Sequence, residues 1–138
     1  PSVIEGQGMI HFKALLLTVL AGLMAPLLFA AEIAGNWQHA EAPVWITIQV
    51  ADGIATGHVV RNDQYPERVG REILKGFKKD KSKDDTWRGQ VYADKQGEYK
   101  KAGISLSDAG LLEINVWVGF VSRTIQWTSV EEIPPVTN

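Results

Sequence analysis

The sequence predicts an all-β fold, a small eight-stranded antiparallel up-and-down barrel, on three observations. Segment after segment beyond residue 30 alternates apolar and polar residues at period two, and none shows a convincing amphipathic helix period. Short turn signals separate these segments. About eight strands joined by sequential hairpins close most simply on themselves, which removes the edges that an open sheet presents to other chains.

The elements follow in order. A short first strand covers Gly35 to Gln38. "VWITIQV", Val44 to Val50, sets Val44, Ile46, Ile48 and Val50 on one face against Trp45, Thr47 and Gln49 on the other. Asp52-Gly53 then supplies the positive φ of a tight hairpin turn, and Ile54 to Arg61 returns as the third strand. A polar loop, "NDQYPER", leads to a short strand at Glu72 to Phe77. The charged "KKDKSKDD" reads as a solvated loop. From Thr86 the pattern is regular: "TWRGQVY", a turn, "EYKKAGISL", a turn, "LLEINVWV", a short link and "SRTIQWTS". The tail "EEIPPVTN" cannot join a central strand, because Pro134 and Pro135 lack amide donors; it is expected to be extended and loosely held.

Two glycines echo one another. "ATGHV" and "WRGQV" place Gly57 and Gly89 between same-face apolar positions. A glycine inside a strand marks a bend, a bulge or the close approach of another group, and sheet curvature at a barrel corner is the expected reason here. On the third strand the inward set is either Ala55, Gly57 and Val59 or Ile54, Thr56 and His58, and pattern alone leaves both open.

Ahead of the barrel, Met9 to Lys13 is a short basic start, Ala14 to Phe29 an apolar run, and Ala30-Ala31 a pair of small residues. That is the pattern of a secretory signal peptide cut near Ala30, with residues 1–8 as an upstream remnant. The expected organisation is therefore leader 9–30, one domain 31–130 and tail 131–138. A periplasmic or secreted address follows, with no membrane span in the mature chain. With no cysteine, the fold must be held by burial and hydrogen bonding alone.

Charge and motif content exclude several classes. The net charge of −2 gives no bulk attraction for a polyanion. Between Arg61 and Arg88 nine Lys or Arg face six Asp or Glu, a mixed and therefore solvated stretch without the aromatic interleaving of nucleic-acid binders. His39 and His58 provide no zinc spacing, and no nucleophile elbow or phosphate loop occurs, so no metal, cofactor or catalytic residue is expected. Trp45 and Trp117 fall opposite the aliphatic runs: if those runs line the interior, both rings point outward as exposed indoles on a partner or dimer surface, and if the register is reversed they line a cavity.

In lipocalins and their relatives a G-x-W on the first strand meets an arginine of the last strand at the closed end of an eight-stranded barrel. Gly35-Asn36-Trp37 and Arg123 resemble that pair. The resemblance implies a guanidinium stacked on the Trp37 indole, a contact that cation–π attraction favours. More closely, the chain resembles the bacterial family called domain of unknown function 2147, small exported proteins with a lipocalin-like barrel. "GNW", "ADGIATGHVV", "WRGQVYADKQGEY", "GLLEINVWVGF" and "RTIQWT" carry the likeness. It departs at Ala93-Asp94, where the family has Asp-Pro, in its lack of cysteine, and in the loop "NDQYPERVGRE".

On this reading Gly35, Trp37, Trp87, Gly89, Arg123 and Trp127 close the barrel, and Tyr65, Trp45, Trp117, Tyr92 and Tyr99 are the candidate ligand-facing residues. The expected function is non-enzymatic binding of a small apolar or amphipathic molecule at the open end. The alternative is a cell-envelope interaction module with a packed interior, meeting an envelope protein, the cell wall or a second copy of itself.

Overall fold

The computed structural model describes residues 32–136; the leader and the upstream remnant expected from the sequence lie outside the described residues. Eight strands follow one another: β1 (Gly35–His39), β2 (Val44–Ala51), β3 (Ile54–Asn62), β4 (Glu72–Lys79), β5 (Thr86–Ala93), β6 (Glu98–Leu106), β7 (Leu112–Val118) and β8 (Val121–Val130). Each pairs antiparallel with the next, and β8 returns to β1, so the sheet is a closed up-and-down barrel. One short 3₁₀ turn, Pro66–Arg68, interrupts the loop between β3 and β4.

The turns explain the hairpins. Asp52 and Gly53 both take positive φ, 53° and 76°, as a tight turn with right-handed strand twist requires. Gly35 opens β1 at a φ of 128°, a value that side chains other than glycine rarely adopt, so the first residue of "GNW" is required by the backbone. The charged "KKDKSKDD" stretch is more ordered than its composition suggests. The Asp80 carboxylate accepts hydrogen bonds from the Ser82 amide and hydroxyl and from Arg88, and the Asp80 amide donates to the Thr86 carbonyl at 2.8 Å. The bonds from Arg88 and Ser82 hold its carboxyl well below the usual carboxylate range.

Register decides which residues form the core. Ile46 faces Val59, Ile48 faces Gly57 and Val50 faces Ala55, so the open choice on the third strand resolves to Ala55, Gly57 and Val59 inward. His58 lies on the outer face, 3.7 Å from Glu72. β4 supplies two fully buried side chains, Leu74 and Phe77, with Gly76 between them at a φ of 64°. These side chains account for the glycine echo. A Cβ on Gly57 would lie 2.7 Å from Leu74 Cδ1, and one on Gly89 would lie 2.7 Å from Phe77 Cγ and 2.8 Å from its Cα. The close approach is by the protein's own core rather than by a ligand.

The two ends of the barrel differ. The end holding the Asp52-Gly53 turn is closed by Trp37, 4% exposed, and Ile33, 2% exposed, with the indole N–H donating to the Ile33 carbonyl at 3.0 Å. The Trp37–Arg123 stack expected from the lipocalin resemblance does not form. Trp37 lies opposite Ser129, whereas Arg123 lies opposite Val116, six positions along β8 and about 20 Å away at ~3.3 Å per residue. Arg123 is exposed at the other end.

Trp45 also departs from expectation. It points outward as its parity requires, yet it is 6% exposed, because Arg61 lies over its ring at 4.5 Å. The same guanidinium donates to the carbonyls of Pro134 and Pro135 at 2.6 and 3.0 Å, tying the tail down beside the indole. A segment without amide donors is held here through its carbonyls.

Gly57→Ala and Gly89→Ala should each cost about 1–3 kcal/mol, the range for overpacking. Gly103→Ala serves as the control, since its Cβ would meet its nearest neighbour at 3.7 Å, and should change stability by about 0.5 kcal/mol or less. Urea midpoints measure all three, and equal midpoints for Gly89→Ala and Gly103→Ala would refute the close approach.

Candidate functional site

At the end opposite Trp37 the barrel is hollow. A cavity of about 260 Å³ opens there, walled by Val44, Val59, Val91, Ile114 and Ile125, with Leu74 and Trp127 among its lining and polar groups gathered at its rim. Alternation explains the wall, since each apolar residue is the inward member of its strand. The bulky Phe77, Trp87, Ile104 and Leu112 pack the barrel towards the closed end and are all buried. The hollow half is what their bulk does not reach.

The loop between β3 and β4 forms part of the rim and is built on Asn62, the one buried polar residue among those described. Its Oδ1 accepts the amides of Gln64 and Tyr65 at 3.1 and 2.8 Å, an Asx turn that reverses the chain. The Gly70 amide donates to the Val59 carbonyl at 2.8 Å and the Val59 amide to the Arg71 carbonyl at 3.0 Å, so the loop folds back onto β3. Tyr65, Arg68 and Arg71 thereby reach the mouth.

Charge at the rim is concentrated on one carboxylate. Asp94, in the turn after β5, accepts Arg71 on one oxygen and Arg68 on the other. Each guanidinium also lies over a phenol ring, Arg68 over Tyr65 at 3.9 Å and Arg71 over Tyr92 at 5.0 Å. Stacking restricts long side chains that would otherwise be free.

His39 lies beside this arrangement at the end of β1, edge-to-face with Trp127 at 4.9 Å. Its Nδ1 accepts the amides of Glu41 and Ala42 at 2.9 and 3.1 Å, so the proton of the neutral ring resides on Nε2. Burial pushes the imidazole below its ordinary value, the Glu41 carboxylate opposes the shift, and the Arg123 guanidinium adds to it. The Trp127 Nε1 is buried and has no hydrogen-bond partner among the described residues.

A solved structure shares this architecture. The chain superposes on the Helicobacter pylori protein HP1028, described as belonging to the lipocalin family, with a TM-score of 0.56 at 14% identity, covering 72% of this chain and 84% of that one. The barrel is lipocalin-like. No family model matches the sequence, and no curated protein matches it in sequence. At this identity the likeness concerns the fold and leaves the site to be read from its own residues.

Of the residues singled out from the sequence, Tyr65 and Tyr92 line the cavity. Trp45 lies outside it beneath Arg61, and Trp117, 48% exposed, is on the outer face near the β7–β8 turn. Tyr99 packs edge-to-face on Tyr92 at 5.3 Å and donates its hydroxyl to the Glu72 carbonyl at 2.7 Å, bracing β4 from outside. Trp87 packs the closed half, under the Lys79 amine at 5.9 Å. Trp127, read as a closing residue, lines the cavity instead. His39, Asn62, Arg68, Arg71 and Asp94 also stand at the rim. Asn62, Arg68 and Arg71 belong to the loop "NDQYPERVGRE", the foremost candidate for a ligand-facing part on the family resemblance, whereas His39 was weighed only as a metal ligand and Asp94 only as a turn residue. "NDQ" ahead of Tyr65 was the available signal, because Asn at a loop start commonly caps its own turn.

The lowered His39 value has a consequence for stability. The unfolded chain binds this proton more tightly than the folded one, so the contribution is complete above the ordinary value of 6.5 and is lost as pH falls from there through the folded value. The stability advantage of the native protein over a His39→Gln variant should therefore shrink below about pH 6.5, as read by urea unfolding across the range. An advantage that holds constant would contradict the depressed value.

Proposed function

We propose that this chain is a non-enzymatic, exported binder that holds a small apolar or amphipathic molecule in the open end of its barrel. The single observation that carries the reading is the apolar-walled cavity above a solid lower half. Such a cup, apolar within and ringed by a few polar groups, is the usual form of a small-molecule site. An eight-stranded barrel has room for one small ligand.

A binding role is favoured over catalysis by the lining itself, which among the described residues contains no serine, threonine or cysteine to act as a nucleophile. His39 directs Nδ1 at backbone amides, and among the described residues no group of three potential metal ligands gathers. Export rests on the leader pattern at Met9 to Ala30, and membership of domain of unknown function 2147 on the motifs around Trp37 and Trp87.

A second reading, docking on an envelope protein, is favoured by the β7–β8 turn. Phe120 there is fully exposed, with Val121 69% and Trp117 48% exposed beside it. Such a cluster suits a partner surface and is compatible with a filled or an empty cup.

Calorimetric titration with octanol tests the first reading, with one-to-one saturable binding expected. Ile125→Phe, which extends a wall residue into the cavity, should weaken that binding by about tenfold or more, a loss of ~1.4 kcal/mol, while the melting temperature stays near that of the native protein. Octanol heats that never saturate, or that Ile125→Phe leaves unchanged, would oppose a ligand in the cup.

A further inference from the structure

We propose that the molecule held in the cup is a single-tailed anion, its chain against the apolar wall and its head on the guanidinium pair Arg68 and Arg71. This rests on the binding reading above and adds the charge and orientation of the ligand. Three observations support it.

Two guanidiniums share one carboxylate. Asp94 neutralises at most one of them, and among the described residues neither arginine forms another ion pair. One positive charge is left at the mouth.

Their donors are also in surplus. A guanidinium carries five N–H donors in a planar fork. Arg68 and Arg71 each use Nη1 on Asp94, and among the described residues no other side-chain hydrogen bond engages them. An oxyanion can therefore add to the pair without evicting Asp94, and the bonds it would accept are of the charge-assisted kind.

The pair is also held in advance. Tyr65 lies beneath Arg68 at 3.9 Å, Tyr92 beneath Arg71 at 5.0 Å, and Asp94 links the two. The Arg68, Arg71 and Asp94 side chains remain 29%, 35% and 40% exposed, so solvent and a headgroup can both reach them. Fixing donors before binding lowers the ordering cost that flexible side chains would otherwise impose.

Below the pair, size limits the tail. A cavity of about 260 Å³ holds roughly nine heavy atoms at ~30 Å³ each. That is the scale of an eight-carbon chain. Both ends of the site then agree on a medium-length anionic amphiphile, and a bare inorganic anion would leave the apolar wall unused. A carboxylate and a phosphate or sulfate monoester share the chemistry that the guanidiniums recognise, so the headgroup is a matter for measurement.

Titrations with octanoate, octyl phosphate, octyl sulfate, octanol and octylammonium separate the possibilities. The expected order places the anions first, octanol next and octylammonium last. The strongest of the anions identifies the head. Arg71→Gln should weaken the best anion by roughly tenfold and leave octanol unchanged, the scale of one lost charge-assisted hydrogen bond. Asp94→Asn, which frees both guanidiniums, should tighten the anion several-fold, and this gain cannot come from damage to the fold. Added salt should weaken the anions and spare octanol, because the rim is open to solvent. Octanol binding as tightly as the anions, or Asp94→Asn having no effect, overturns the charged-head proposal while leaving the binding reading in place. If none of the five binds, both fall together.

Discussion

The barrel depends on the seating of two β4 side chains against bare backbone. Leu74 lies on Gly57 of β3, and Phe77 lies on Gly89 of β5, each closer than a Cβ would permit. Closing eight strands into a small barrel draws the walls together until inward side chains compete for the axis. Glycine on both sides of β4 relieves that competition where it is greatest. Gly76, at positive φ between the two, bends the strand so that Leu74 and Phe77 both remain inside.

The division of the interior follows from this seating. Phe77 and the rings of Trp37 and Trp87 fill one half, with Ile46, Ile48, Ile104 and Leu112 between them, at the close packing of protein interiors. Leu74 stands at the boundary, and above it the inward residues are Val44, Val59, Val91, Ile114 and Ile125. These side chains project less far than aromatic rings, and a cavity is left between them and Trp127. A polar loop covers that hollow rather than a bulky plug, because Asn62 turns the chain back at the mouth and brings tyrosine and arginine over it. Closed floor, apolar wall and cationic rim thus follow from where large and small residues alternate along the same strands.

The strands were legible because a half-buried strand has a period, and the Asp52-Gly53 turn because its conformation is costly for other residues. What depended on register was harder to read. Arg123 has the chemistry of a partner for Trp37, but a motif carries no strand offset, and six positions along β8 place it at the opposite end. Alternation left two faces open for Trp45, and its burial comes from Arg61, which bonds to carbonyls of the tail some 90 residues from the indole, an arrangement no local pattern encodes. Trp127 shows the same limit. Parity turns it inward, but whether an inward ring plugs a barrel or lines a cup depends on what its neighbours already fill. The pairing at the rim was hidden because Arg68 and Arg71 lie in one loop inside the stretch of mixed charge and Asp94 in a turn beyond it, and only the pairing of β4 with β5 brings the two together.

The central claim is that one half of the interior is packed and the other holds an apolar-walled cavity. A crystal structure determined under xenon pressure tests it most directly, since xenon enters dry apolar cavities and has no place in close-packed cores. The account predicts xenon density among Val91, Ile114 and Ile125, above Trp127, and none between Trp37 and Phe77. Side chains filling the upper half with no xenon there, or xenon bound beside Phe77, would contradict it.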